Sequence, residues 1–186
     1  MKKFITSLAM LLLLVFGCTD QTGITSPVQS EPSQTLKLIK LPAPKGLSIE
    51  TLYTESKYIS GYNGGEFTEQ FSYQSGTGTV TINSQLVFPR YAFSGSKTIT
   101  QTFNTETASL EFGPAMQFNN PVKYTLTVTG LDLTGINPAT LDFVYVAQDG
   151  SITGVIYDSL EMDAASNTIK VTNAQLNHFS RYGFVN

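Results

Sequence analysis

Few side chains in this 186-residue chain could do acid–base, nucleophilic or metal chemistry. There is one histidine, His178, and one cysteine, Cys18. A zinc site of several His and Cys ligands is therefore out of reach, and no intrachain disulfide can form. A Ser-His-Asp triad could use only His178, which stands two residues before Ser180. No glycine-rich phosphate loop of the Walker or Rossmann kind is present. Asp158, Glu161 and Asp163 place three carboxylates close together in what reads as one loop. A calcium loop would add carbonyls and a glycine turn, and this stretch lacks the glycine, so it reads as a solvated turn with no metal. Tyr53, Tyr58, Tyr62, Phe67, Phe71, Tyr73, Tyr91 and Phe93 make the first half aromatic-rich. On an exposed sheet face such rings could stack on sugars or peptide, although tryptophan is absent and most of them are expected in a core.

Elements that would position these residues are strands. Val122, Tyr124, Leu126 and Val128 alternate with Lys123, Thr125, Thr127 and Thr129, the pattern of a strand with one face on a core. Before it, Leu110 and Phe112 lead to a break at Gly113-Pro114. Met116 and Phe118 follow at period two, and Asn119-Asn120-Pro121 reads as a turn. Strand patterns also cover Ile49–Tyr58, Phe67–Tyr73, Val80–Ile82, Leu86–Phe88, Lys97–Phe103, Leu141–Val146, Ile152–Tyr157, Ile169–Val171 and Phe179–Val185. Gly61-Tyr62-Asn63-Gly64-Gly65 and Asp149-Gly150 are turn signals. Ala164-Ala165 and Ala174-Gln175-Leu176 could each form a single helical turn. The expected class is all-β, an antiparallel sandwich or open barrel over residues 46–186.

Composition agrees. Only 13% of residues are charged, against about 25% in ordinary domains, so hydroxyl and amide side chains must cover the exposed faces. The formal net charge is −3 and no basic stripe occurs, which argues against a nucleic-acid partner.

The first residues read as a signal peptide over 1–17. Lys2-Lys3 precede an apolar run, Phe4–Phe16, that is short for a membrane span. Its end, Val15-Phe16-Gly17-Cys18, resembles a bacterial lipobox. That resemblance implies a Cys18 thiol carrying diacylglycerol and a new N-terminus carrying an acyl chain such as palmitate, with no other cofactor. Several chains on one residue anchor a protein stably. Thr19 stands where aspartate would signal inner-membrane retention, which points to the outer membrane of a bacterial cell envelope. The alternative is an ordinary secretory signal. Residues 18–45 read as a tether, with Pro27, Pro32, Pro42 and Pro44 keeping it extended. The apolar island Leu36–Leu41 either docks on the domain as a strand or is a sticky patch in a linker.

Gly64-Gly65, Val80-Thr81-Ile82, Phe88-Pro89-Arg90-Tyr91-Ala92-Phe93 and Gly95-Ser96-Lys97-Thr98-Ile99-Thr100 occur in an order that resembles ZU5-type domains. Phe112-Gly113-Pro114, Phe118, Pro121-Val122, Tyr145, Asp149-Gly150 and His178-Phe179-Ser180-Arg181-Tyr182 extend the likeness to roughly residues 64–186. The resemblance implies a sandwich or open barrel that serves as an interaction or structural module. His178-Phe179-Ser180 is similar to the self-cleaving tripeptide of some ZU5-containing proteins. There, Ser180 Oγ would attack the Phe179 carbonyl, His178 would move the proton, and water would hydrolyse the ester, a course that needs a strained peptide.

The leading expectation is a non-enzymatic, lipid-anchored envelope protein. It touches the membrane through its anchor and holds a protein or surface-polymer partner through its sandwich. The alternatives are a self-processing domain cleaved between Phe179 and Ser180, and a carbohydrate-binding surface module.

Overall fold

Among the described residues, eleven strands carry the fold: β1 (Leu52–Ser60), β2 (Gly65–Gln74), β3 (Thr79–Phe88), β4 (Ser96–Asn104), β5 (Ser109–Gly113), β6 (Gln117–Thr129), β7 (Asp142–Val146), β8 (Ile152–Gly154), β9 (Ser159–Asp163), β10 (Thr168–His178) and β11 (Arg181–Val185). The structure is a computed structural model that describes residues 36–46 and 52–186. The residues read as a signal peptide, Cys18, the first part of the expected tether and residues 47–51 lie outside the described residues.

The strands form two antiparallel sheets, one ordered β1-β4-β5-β11-β7-β8 and the other β2-β3-β6-β10-β9. Neither closes into a barrel, and the two pack face to face as a sandwich. Phe71 of one sheet meets Phe103 of the other at a centroid distance of 5.5 Å, and Tyr124 meets Phe143 at 6.2 Å. Alternation decides which side of each strand faces inward. Val122, Tyr124, Leu126 and Val128 of β6 are buried, as are Val80, Ile82, Leu86 and Phe88 of β3. Threonines 125, 127 and 129 lie on the outer face.

Two local readings of the sequence are corrected. Asn119-Asn120-Pro121 is not a turn but part of β6. Leu176 of β10 pairs with Val122 and His178 with Gln117, so the extra residues of β6 bow out as a bulge. Pro121 therefore sits where no ladder hydrogen bond is asked of it. Ala174-Gln175-Leu176 is likewise strand, inside β10. The register shifts between Val171 and Ala174, and Asn173 takes φ 53°. The inserted residue sets buried positions three apart, and that spacing mimics a helix.

The island Leu36–Leu41 docks. Lys37 and Asn186 exchange backbone hydrogen bonds of 3.2 and 3.0 Å, and the Ile39 N–H donates to Phe184 at 2.9 Å. This segment lies beside the end of β11 that β5, whose pairing stops at Gly183, leaves uncovered. Ile39 and Leu41 are buried. The chain then reaches the other sheet, where the Lys45 N–H donates to Gln74 at 2.7 Å and the Pro42 carbonyl accepts Tyr73 Oη–H at 3.0 Å. Residues 36–45, read as the last part of the tether, thus strap one end of the sandwich.

Candidate functional site

His178-Phe179-Ser180 lies where the chain leaves β10 and crosses to β11 in the other sheet. Phe179 is buried, stacked on Phe112 at 5.2 Å and edge-on to Phe118 at 4.8 Å. Its N–H donates to Met116 at 2.8 Å, and the Ser180 carbonyl accepts from Phe112 at 3.0 Å. A continuous strand would put His178 and Ser180 on one face. Here the strand stops at His178 and resumes at Arg181, so the alternation is broken. His178 packs edge-on to Tyr145 at 4.7 Å, in a cleft with Val155, Ile156 and Gln175. Ser180 lines a different recess, with Glu111, Val146, Gln148 and Arg181. The His178 carbonyl accepts the Tyr182 hydroxyl at 2.7 Å. Burial, with Tyr145 adding to it, pushes that phenol far above its usual range.

The carboxylates read as one loop are spread over two elements, with Glu161 and Asp163 on β9 and Asp158 before it. Each serves a local bond. Asp158 accepts from Asn173 Nδ2 at 2.7 Å, Glu161 from Ser159 Oγ at 2.8 Å, and Asp163 from the Ala165 N–H at 2.9 Å. Among the described residues, no group of three His, Cys, Asp or Glu side chains is arranged to hold a metal.

The aromatic residues divide sharply. Phe67, Tyr73 and Phe93 are buried, and Tyr53 and Phe71 pack against the core. Tyr58, Tyr62 and Tyr91 are 71%, 61% and 52% exposed. Tyr62 and Tyr91 meet edge to face, with centroids 4.8 Å apart and planes at 84°. The Tyr62 hydroxyl beside it raises the Tyr91 phenol.

Two loops build this corner, one joining β1 to β2 and one joining β3 to β4. The Gly61 N–H donates to Gly95 at 2.8 Å, and the Tyr91 N–H to Tyr62 at 3.4 Å. A Cβ on Gly61 would strike the carbonyl oxygen of Phe93, and one on Gly64 that of Phe88, so only glycine lets the loops close together. Tyr91 itself holds φ at 63°, a left-handed conformation that costs a non-glycine residue on the order of 1–3 kcal/mol. The β6 bulge clamps it. Asn119 Nδ2 donates to the Tyr91 carbonyl at 3.1 Å, and the Asn119 N–H to Ala92 at 2.8 Å. Asn63 and Arg90, each next in sequence to one of the rings, are exposed, as is Asn120, whose Nδ2 donates to the Arg90 carbonyl at 3.5 Å. The sequence hinted at this in Phe88-Pro89-Arg90-Tyr91-Ala92-Phe93, where one ring has no alternating place in a core. Nothing local says that it meets Tyr62.

A buried polar group lies between the sheets. Gln101 of β4 is fully buried, and its Nε2 donates to Glu69 Oε2 of β2 at 2.7 Å and to Ser84 Oγ of β3 at 2.6 Å. Burial, with the neighbouring Glu55 charge adding and the Gln101 amide opposing, pushes the Glu69 carboxyl up to about 7. Sequence reasoning passed over both residues. The signal was there: Glu69 falls in phase with inward Phe67, Phe71 and Tyr73, and Gln101 with Ile99 and Phe103.

Comparisons with protein-family models, with curated proteins and with solved structures each return no match. Among the described residues, no helix is long and apolar enough to cross a membrane.

Proposed function

We propose that this chain is a non-enzymatic, lipid-anchored protein of the bacterial cell envelope whose sandwich holds a partner or surface component. The outer membrane is the destination that Thr19 suggests. One observation carries the reading: the domain has two distinct ends. The strap from the N-terminal side joins β2 at Gln74, whereas the Tyr62–Tyr91 corner adjoins the opposite end of β2, at Gly65. They are the two ends of a ten-residue strand, roughly 30 Å apart at about 3.3 Å per residue. An anchor at Cys18 would therefore join the domain through the strap, at the end opposite the Tyr62–Tyr91 corner. The ZU5-like resemblance belongs to this proposal, and a two-sheet sandwich is the architecture it implies.

Replacing Cys18 by serine tests the anchor. The variant is expected to leave the membrane fraction or to remain an uncleaved precursor. Unchanged attachment and processing would reject the proposal. Self-cleavage stands behind it, because His178 and Ser180 line different recesses. Intact mass under denaturing conditions decides between them. A full-length wild type is expected, whereas loss of residues 180–186, restored by Ser180→Ala, would favour self-processing.

A further inference from the structure

We propose that the Tyr62–Tyr91 corner is a saccharide-binding tip that takes pyranose units of an envelope polysaccharide. This rests on reading the domain as an interaction module and names the class of its ligand. Both rings are more than half exposed although they stand on loops held by close glycine contacts and by the Asn119 clamp. The corner is thus ordered without hiding its apolar surface. A left-handed tyrosine is an unfavourable way to make a turn, and glycine would serve the backbone better. The position is explained if the ring itself is used.

The chemistry of the surroundings selects the ligand. A pyranose ring offers an apolar C–H face for an aromatic ring and a rim of hydroxyls for polar side chains. Two tyrosines at 84° present a face and an edge, with hydroxyls of their own. Asn63 and Arg90 adjoin the two tyrosines in sequence, Asn119 and Asn120 bond the carbonyls of Tyr91 and Arg90, and all four are exposed amide or guanidinium side chains suited to hydroxyls. An apolar peptide or a lipid surface would call for aliphatic neighbours. Of the large aliphatic residues exposed among the described residues, Leu52 lies at the far end of β1 and Ile156 follows β8, and only Val87 is close in sequence. Both rings are open to solvent, which fits a unit within a chain better than an enclosed small molecule.

The test uses the full-length protein in a polyoxyethylene detergent, which carries no sugar. Affinity electrophoresis in gels with dextran, hydroxyethyl cellulose or alginate, and sedimentation with insoluble peptidoglycan, separate neutral from acidic polymers. The wild type is expected to be retarded or pulled down by at least one of them. Tyr91→Gly, whose backbone suits the observed φ, should fold normally by thermal melting and weaken binding at least fivefold. Tyr62→Ala should do the same, and Tyr91→Phe should keep most of the binding. Binding to none of the four polymers, or equal binding by wild type and Tyr91→Gly, overturns the proposal. So does tyrosine-dependent crosslinking to an envelope protein without polymer binding. Because attachment through Cys18 is measured separately, loss of polymer binding with attachment intact removes this inference and leaves the anchored module standing.

Discussion

Asn119 donates its side-chain amide to the backbone carbonyl of Tyr91 at 3.1 Å. The two residues are far apart in sequence and belong to different structural units, one to the β6 bulge and the other to the loop between β3 and β4. The bulge brings Asn119 to that loop because residues 118–121 are released from the ladder with β10. A departure from regular pairing in one strand thus fixes a strained residue on another loop, and so links the packing of the sheet to the presentation of an exposed ring.

Asn119→Ala removes the side-chain hydrogen bond but keeps the backbone one to Ala92. The expected cost is about 0.5–1.5 kcal/mol, or a fall of a few degrees in melting temperature. Amide hydrogen exchange should quicken at Tyr91 and its neighbours while the centre of β6 stays protected. Unchanged exchange there would mean that the clamp does not hold the loop.

Leu126 and Thr127 are adjacent in β6 but point to opposite faces, with Leu126 fully buried. Leu126→Ala should destabilise the domain by about 2–5 kcal/mol, because it leaves a cavity between the sheets. Thr127→Ala should stay within about 0.5 kcal/mol. Urea midpoints of the two variants measure the difference, and equal shifts would contradict the face assignment.

Glu69 gives stability a pH dependence of definite sign. Its carboxyl is raised from 4.5 to about 7, so the folded state holds a proton that the unfolded chain has released. The stabilisation is fully present below about pH 4.5 and is lost as pH rises through about 7. Since the group is only half-buried, solvent screening leaves an effect of about 1–2 kcal/mol. Glu69→Gln, whose side-chain oxygen can still accept from Gln101, should flatten this loss and raise the melting temperature above wild type at pH 8. A wild type equally stable at pH 5 and pH 8 would show that burial does not hold the proton.

Ile39 fastens the strap. Ile39→Ala should cost about 2 kcal/mol, at the low end for buried isoleucine because the residue lies at the rim of the core. The N–H groups of Lys37, Ile39 and Asn186, bonded along this edge, should exchange faster. Melting and exchange that stay unchanged would return the segment to the tether.

By itself, the sequence determined the class and most of the faces. Strict alternation in Val122–Val128 and at Ile99 and Phe103 can be satisfied only by strands with one buried side, because side chains in extended chain point alternately to opposite faces. Asp149-Gly150 likewise announced the β7–β8 hairpin, since a tight turn needs residues that tolerate positive φ. Tertiary structure alone decided what local pattern cannot encode. The bulges at Asn119–Pro121 and Asn173 interrupt period two, so locally they look like a turn and a helix. β1 pairs with β4 and not with its neighbour β2, because the chain changes sheets at Ser60–Gly65. Tyr62 reaches Tyr91 and Glu69 reaches Gln101 only when the two sheets are assembled, and Leu38 reaches Val185 only when the strap lies along β11. These contacts join residues far apart in the chain. Their existence depends on the packing of the whole sandwich, whereas the faces of a strand depend only on the alternation of its own side chains.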